Sequence, residues 1–209
     1  MPIRAAVIPE PNVPVELREL PDPALEPGSI LLETLASEVC GTDVHLFHGK
    51  LAGVPYPLVP GHVSVGRILE SRGVSHDALG APLHPGDVVT FYDVHGICGQ
   101  CWHCSVARQP NRCPERRVYG ITLGANDGAF GGWAERIHLK PGVRVLKLPE
   151  PLSADDVIAG GCGMNTGYAA VERSALTMGS TVGAGRGTGG TGRGDLCRAP
   201  GSGTGHQHR

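Results

Sequence analysis

Residues 96–113 read GICGQCWHCSVARQPNRC and hold four cysteines in one short segment: Cys98, Cys101, Cys104 and Cys113. Their spacing is C-x2-C-x2-C-x8-C, and a C-x2-C pair lets two thiolates from one tight turn reach the same ion. Glycines inside the segment permit those turns. Four thiolates leave no ligand position for water, so the pattern predicts a closed, structural zinc site. The alternative is a run of free or redox-active thiols.

The chain around this segment is predicted to be mainly β-structure with a few helices. Seven runs rich in β-branched or aromatic residues are bounded by Pro-Asp, Pro-Gly and Gly-Asp turn signals. They lie at 3–8, 15–20, 30–39, 63–70, 88–92, 133–139 and 143–148. Many short strands with this punctuation favour a barrel or a sandwich over a parallel sheet.

Helical signals come late in the chain. Ser153 is followed three residues later by Asp156, the pattern of a capping box with a short Asp in place of Glu. Residues 164–175 form a second run with Ala and Tyr and few helix breakers. We therefore expect helices in this C-terminal part of the chain.

Composition and charge exclude several classes of partner and location. The chain has 209 residues, room for one large domain or two small ones. Its net charge of −2 predicts no nucleic-acid partner. No segment has the pattern of a secretory signal or of a bilayer span, so we expect a cytoplasmic protein without a membrane partner. In that reducing compartment its seven cysteines are expected to be metal ligands or thiols rather than disulfides.

Three further metal-binding side chains, Cys40, His62 and Cys162, lie far apart in the sequence. Taken singly, each is most simply a buried thiol or a buried histidine with a hydrogen-bond partner. Their contexts are more distinctive: Cys40 opens CGTDVH, His62 ends PGH, and Cys162 lies in GGCG.

These three contexts, the four-cysteine segment and GGWAE at 131–135 together resemble the zinc-dependent medium-chain dehydrogenase/reductase family, the alcohol dehydrogenases in particular. The motifs follow one another in the family's order up to about residue 182. The resemblance implies a GroES-like β-barrel catalytic domain at 1–182. It also implies that Cys40, His62 and Cys162 hold a catalytic zinc with a fourth position open to water or the substrate oxygen, which the metal polarises as a Lewis acid. With the structural zinc of the four cysteines, two zinc ions per chain are expected.

The resemblance also assigns roles to three residues of the CGTDVH segment. Thr42 matches the family's hydroxyl proton acceptor, and His45 matches the histidine that passes the proton to solvent. Asp43 matches a carboxylate that orients the metal-binding histidine. The alternative for Thr42 and Asp43 is a helix N-cap after a strand, which both residue types favour. A histidine alone does not establish a proton relay.

Two features depart from the family pattern. The family commonly has Glu directly after the ligand histidine, where it can approach the metal during ligand exchange, and Val63 stands there in this chain. The last gap of the four-cysteine segment is one residue longer than the commonest spacing, which a loop can absorb. Neither departure removes a predicted metal ligand.

The composition changes at residue 183. Residues 183–209 contain one leucine and no aromatic residue, so we predict a disordered Gly/Arg-rich tail. Residues 185–190 match the dinucleotide-binding pattern G-x-G-x-x-G, but no convincing strand precedes them and no helical run follows. If the nucleotides that encode 183–191 are read in a frame shifted by one base, they can encode Val-Gln-Gly-Ala-Gly-Pro-Val-Gly-Leu. This peptide contains Gly-Ala-Gly-Pro-Val-Gly, which resembles the dinucleotide-binding turn of the family. We therefore hypothesise an out-of-frame tail and a missing Rossmann domain.

Three functions compete at this point. The first is a zinc alcohol dehydrogenase that oxidises a small-molecule alcohol to an aldehyde or ketone with NAD(P), of which this chain is the catalytic-domain portion. Without a cofactor domain its activity and NAD(P) binding are in doubt. The second is a catalytically silent zinc-binding domain. The third, ranked last, is a nucleic-acid-binding tail built on arginines without aromatic residues. The sequence leaves open which alcohol is used, whether the cofactor is NAD or NADP, and whether the chain forms a homo-oligomer.

Overall fold

The computed structural model describes residues 1–174 and 177. The chain divides into two compact units, Met1–Cys162 and Gly163–Arg209. The predicted domain boundary at residue 182, the tail at 183–209 and its out-of-frame origin lie outside the described residues.

The described residues form nine strands and three α-helices. In chain order they are β1 Ile3–Val7, β2 Glu16–Leu20, β3 Ile30–Ser37, α1 Gly41–Phe47, β4 Ser64–Ser71, β5 Val88–Phe91, β6 Val94–His95, α2 Trp102–Ser105, β7 Arg117–Val118, β8 Arg136–Leu139, β9 Val145–Lys147 and α3 Ala154–Arg173. A short 3-10 helix, Pro110–Arg112, precedes β7. All seven predicted strands are present, and the mainly β fold with few helices is confirmed.

The central sheet has five strands in the order β8-β3-β4-β5-β9. Each neighbouring pair in it is antiparallel. β1 pairs with β2 and β6 with β7 in separate two-stranded sheets. This topology agrees with the expectation of a barrel or sandwich rather than a parallel sheet.

The inner face of the central sheet carries the main hydrophobic core. Ile30 and Leu32 on β3 pack with Ile68 on β4, and all three are almost completely buried. Tyr119 and Phe130 close this core from the connecting segments, with their rings in edge contact. Successive side chains of a strand point to opposite faces of the sheet, so Ile30 and Leu32, two residues apart, reach this core from the same face of β3.

Helix α1 was not expected as a helix, because its sequence GTDVHLF contains Gly, Thr and Val, which are weak helix formers. Its first turn is held by a capping box. The Cys40 sulfur accepts a hydrogen bond from the Thr42 N–H, and the Asp43 carboxylate accepts one from the Cys40 N–H. The N-cap residue is Cys40 rather than Thr42 or Asp43, and Asp43 takes part in the cap as its third helical residue.

Helix α3 begins with the predicted capping box. Ser153 N–H donates to the Asp156 carboxylate at 2.8 Å, and Asp156 N–H donates to the Ser153 hydroxyl at 3.3 Å. The helix is interrupted at Gly161, whose φ of 49° and ψ of −156° are not helical. The two predicted helical runs thus join at a glycine kink. Within the described residues, no helix has the length and apolar character to cross a membrane.

Candidate metal centres

The four cysteines at 98–113 converge on one point, as their spacing predicts. Their sulfur atoms all lie within 4.8 Å of one another. The Cys101 and Cys104 sulfurs are 3.5 Å apart, and those of Cys98 and Cys113 are 3.6 Å apart. Zinc–sulfur bonds of about 2.3 Å in a tetrahedron separate neighbouring sulfurs by roughly 3.8 Å, so these distances fit one zinc ion. None of the six cysteines in the described residues forms a disulfide.

Short local elements position these sulfurs. Cys101 lies at the N-cap of α2 and Cys104 within it, while Cys113 follows the 3-10 helix and is completely buried. The N–H groups of Cys98 and Cys101 donate to the sulfurs of Cys113 and Cys98, at 3.4 and 3.3 Å. Backbone donors aimed at sulfur are the usual environment of metal-binding thiolates.

The thiols of this quartet do not have equivalent pKa values. The hydrogen bond from the Cys98 N–H lowers the pKa of the Cys113 thiol to about 7. Removal from water and the neighbouring Cys101 thiol raise the pKa of Cys104 to about 12. Zinc binds the thiolate form of cysteine, so zinc binding to the quartet is expected to release protons. The donor set of four thiolates is that of a structural zinc site.

The three scattered ligands also converge, and a fourth side chain joins them. Ligand atoms of Glu38, Cys40, His62 and Cys162 all lie within 4.8 Å of one another. The Cys40 sulfur is 3.9 Å from His62 Nε2. We call these four residues the mixed cluster. It lies wholly within the unit Met1–Cys162.

His62 is buried at the start of β4, after a tightly packed glycine. A side chain on Gly61 would collide with Ser37, Trp133 and the backbone of Gly132, so the chain passes here only with glycine. His62 Nδ1 is buried without a hydrogen-bond partner among the described residues, while Nε2 faces the Cys40 sulfur. The ring thus presents Nε2 to the mixed cluster.

The remaining acidic neighbour of His62 is Asp93. Burial raises the pKa of this carboxyl, and the charge of His62 partly offsets the effect. Asp93 was not singled out in the sequence, because nothing in the VVTFYD segment distinguishes it from an ordinary strand-end aspartate.

Glu38 and Cys162 meet across the interrupted start of α3. Cys162 N–H donates to a Glu38 carboxylate oxygen at 2.9 Å, and the Cys162 sulfur lies 3.8 Å from the other. A Cβ on Gly161 would collide with that same carboxylate, and its positive φ also favours glycine. The GGCG motif is thus explained by close approach of the chain to Glu38.

The neighbours of Cys162 in the mixed cluster favour the protonated form of its thiol. Burial, the Cys40 thiol and the Glu38 carboxylate together raise the pKa of the Cys162 thiol to about 12. Two thiols, an imidazole and a carboxylate facing one point are a donor set that zinc takes in proteins. The convergence of four donor atoms, with His62 Nε2 facing the Cys40 sulfur, fits a bound zinc ion.

Thr42, Asp43 and His45, the three residues with predicted roles in proton transfer or histidine orientation, all lie on α1. Thr42 is half-buried, and its N–H donates to the Cys40 sulfur at 3.3 Å. His45 is exposed in the last turn of α1. Asp43 is buried, with Oδ2 accepting from the Cys40 N–H and Oδ1 lacking a partner among the described residues. The hydrogen bonds of the structure do not pair Asp43 with His62.

Glu38 is a candidate metal ligand that the sequence did not predict. Its one signal was position: an acidic residue two places before Cys40, at the end of a strand otherwise rich in apolar residues. A glutamate at a strand end is ordinarily solvated, so position alone does not identify a ligand.

The family of the alcohol dehydrogenase GroES-like domain matches residues 26–150, more than half of the chain. An alcohol dehydrogenase of Geobacillus stearothermophilus is 32% identical over 182 residues, which are 86% of this chain and 50% of the relative. The chain spans about half the length of the curated relatives it matches.

Solved structures give the same result. The crystal structure of an alcohol dehydrogenase from Thermotoga maritima superposes with a TM-score of 0.80 at 33% identity, covering 87% of this chain and 50% of that one. A zinc-binding dehydrogenase of Sinorhizobium meliloti, solved with NADP, superposes with a TM-score of 0.59 at 26% identity. It covers 74% of this chain and 40% of that one.

Proposed function

Since the chain belongs to the family of alcohol dehydrogenases with a GroES-like domain, we propose that it is the zinc-binding, substrate-binding portion of an NAD(P)-dependent alcohol dehydrogenase. The observation that carries this proposal is the mixed cluster, in which Cys40, His62 and Cys162 converge from distant parts of the chain. Zinc at such a site supplies Lewis acidity to the oxygen of an alcohol or carbonyl substrate. The substrate is a small-molecule alcohol.

In this proposal the protein's own residues hold and orient the reacting group. Cys40 is fixed by the cap of α1, and Cys162 by its N–H bond to Glu38. His62 enters from a buried, glycine-lined turn. Each ligand is therefore held by a different element. The three ligands come together only when the whole unit is folded.

We assign the proton path to α1. Thr42, half-buried beside Cys40, is the hydroxyl placed to accept the substrate proton, and the exposed His45 one turn along passes it to solvent. Asp43 contributes by holding the first turn of α1 through the Cys40 N–H. That Asp43 also orients the His62 ring stays a prediction. It requires a direct or bridged hydrogen bond between Asp43 Oδ1 and His62 Nδ1, which both lack a partner among the described residues.

The four-cysteine quartet is proposed to hold a second, structural zinc. Its ligands are four sulfurs within 4.8 Å of one another, a set that leaves no position for substrate. Its role is to order the loop between β6 and β7.

The test combines metal content with turnover. We expect two zinc ions per purified chain by elemental analysis, and one in Cys162→Ser. NAD(P)H production with a panel of alcohols, lost in both Cys162→Ser and His62→Ala, establishes the activity. Full turnover in those variants contradicts the assignment of the mixed cluster. Two zinc ions with no turnover on any alcohol favour the zinc-binding domain without catalysis.

A further inference from the structure

Glu38 extends the set of ligands beyond the three that the family resemblance implies. Its carboxylate lies in the same 4.8 Å group of ligand atoms as Cys40, His62 and Cys162. Four candidate ligand atoms that converge on one point, one of them a carboxylate oxygen, form the arrangement of a metal site.

The surrounding chain is shaped to bring Glu38 to this position. Gly161 leaves the space that the carboxylate occupies, and Cys162 N–H donates to it at 2.9 Å. The Glu38 backbone is held as well: its N–H donates to Val63 at 3.0 Å, and its carbonyl oxygen accepts from Trp133 Nε1 at 3.4 Å. These contacts fix both ends of the residue.

Glu38 also lies beside the segment that carries His62. It faces Val63, the residue after His62, as their backbone hydrogen bond shows. The carboxylate therefore approaches the mixed cluster from the chain segment next to His62.

We propose that Glu38 is the fourth protein ligand of the metal in the mixed cluster. With Cys40, His62 and Cys162 it completes a tetrahedral set. Binding of a substrate oxygen then requires Glu38 to leave its position or the coordination number to rise. The inference rests on the proposed zinc site of the mixed cluster.

The decisive variant is Glu38→Gln. Glutamine keeps an oxygen that can accept the Cys162 N–H, but it removes the negative charge and is a poor zinc ligand. Glu38→Ala removes both functions. Glu33→Gln on the same strand is the matched control, because Glu33 is exposed and only 3.9 Å from Arg67 in a surface ion pair.

Zinc affinity is measured on the full chain by competition with a chelator, resolving the two ions. We expect Glu38→Gln to weaken one zinc by about tenfold or more and to leave the quartet zinc unchanged. With cobalt in place of zinc, the visible absorption of the same site is expected to change in Glu38→Gln but not in Glu33→Gln. Unaltered affinity and spectrum in Glu38→Gln overturn the proposal.

Unfolding temperatures separate a ligand from a structural acceptor. A ligand role predicts that the metal-free wild type and Glu38→Gln unfold at the same temperature, or the variant higher, and that zinc then stabilises the wild type more. Equal loss of stability with and without zinc, or a variant that fails to fold without metal, overturns the ligand role. A wild-type chain that binds only one zinc overturns this inference and the proposed site together, whereas two zinc ions with an unaffected Glu38→Gln overturn this inference alone.

Discussion

The backbone N–H of Glu38 donates to the carbonyl oxygen of Val63 at 3.0 Å, so these two residues face each other across neighbouring chain segments. One follows the end of β3, and the other immediately precedes β4. Because Val63 directly follows His62, a side chain at either position starts close to the mixed cluster. A glutamate introduced at position 63 should therefore be able to replace the carboxylate of Glu38 in the mixed cluster.

Val63→Glu in a Glu38→Gln background is expected to recover zinc affinity at the mixed cluster by about tenfold relative to Glu38→Gln alone. The new glutamate restores the lost negative charge from the opposite segment. Chelator competition measures the recovery. The matched control is Val63→Gln in the same background, which has the same length and no charge. Equal affinities in the Glu and Gln variants contradict this prediction.

Gly161→Ala is expected to destabilise the folded chain by about 1–3 kcal/mol and to weaken zinc at the mixed cluster. A methyl group there collides with the Glu38 carboxylate, and φ is 49° at this position. Urea unfolding and chelator competition give the two readouts. Gly163→Ala is the control, because nothing lies within 4 Å of its Cβ position and Ala favours helix by about 1 kcal/mol over Gly. Similar losses in the two variants speak against the close-approach explanation.

Cys113→Ser is expected to remove one zinc ion per chain and to lower the free energy of unfolding by about 4 kcal/mol at a zinc concentration a thousand times the dissociation constant. Cys113 is completely buried, and its sulfur receives the Cys98 N–H. Elemental analysis and urea unfolding in zinc buffer provide the measurement. Gln100→Ala, exposed in the same loop, should retain both zinc ions. Retention of two ions in Cys113→Ser contradicts a zinc site in the quartet.

Asp77→Asn tests how a carboxylate stabilises the sheet at neutral pH. Asp77 accepts hydrogen bonds from the N–H groups of Lys147, Ala81 and Leu79, at 3.1, 2.8 and 2.8 Å. These bonds, the one from Lys147 first, lower the pKa of Asp77 below its ordinary value of 3.8. A lowered pKa in the folded state means that ionised Asp77 stabilises the fold fully above about pH 4, and that this contribution is lost as the pH falls through the folded-state pKa.

The wild type is therefore expected to be more stable than Asp77→Asn at pH 7, with a difference that shrinks as the pH falls below about 4. Urea unfolding at a series of pH values measures it. Loss of zinc at low pH affects both proteins and cancels in the difference. Asp127→Asn, an exposed aspartate, serves as the control. A difference that is independent of pH would exclude the charge of Asp77 as its source.

The strands of this fold could be predicted because their signals are local. Runs such as 30–39 and 63–70 combine β-branched residues with turn residues at their ends. β3 lies within the first run, and β4 overlaps the second in all but its last residue. Helix α1 could not, because its stability comes from the hydrogen bonds of Cys40 and Asp43 rather than from helix-forming residues. Strands β6 and β7 have two residues each, too few for any periodicity.

The two candidate metal centres also differ in how far local sequence signals predict them. The quartet follows from spacing alone, since residues 98–113 form one loop. Cys40, His62 and Cys162 could be joined only through the family resemblance, because spacing says nothing of residues so far apart. Glu38 could be found by neither route. Its contact with Cys162 spans 124 residues and depends on the kink at Gly161.

This difference in sequence separation sets the order in which the chain can acquire its metals during synthesis. The Cys98–Cys113 contact closes a loop of 15 residues, whereas the Glu38–Cys162 contact closes one of 124. Loop-closure entropy favours the shorter contact by about 2 kcal/mol, and its last residue leaves the ribosome far earlier. A nascent chain can therefore load the quartet before its barrel has closed, while the mixed cluster forms only when β3, β4 and the start of α3 have met. Under the proposed zinc assignment, the quartet ion binds while the chain is still folding, and the ion of the mixed cluster binds after the unit has folded.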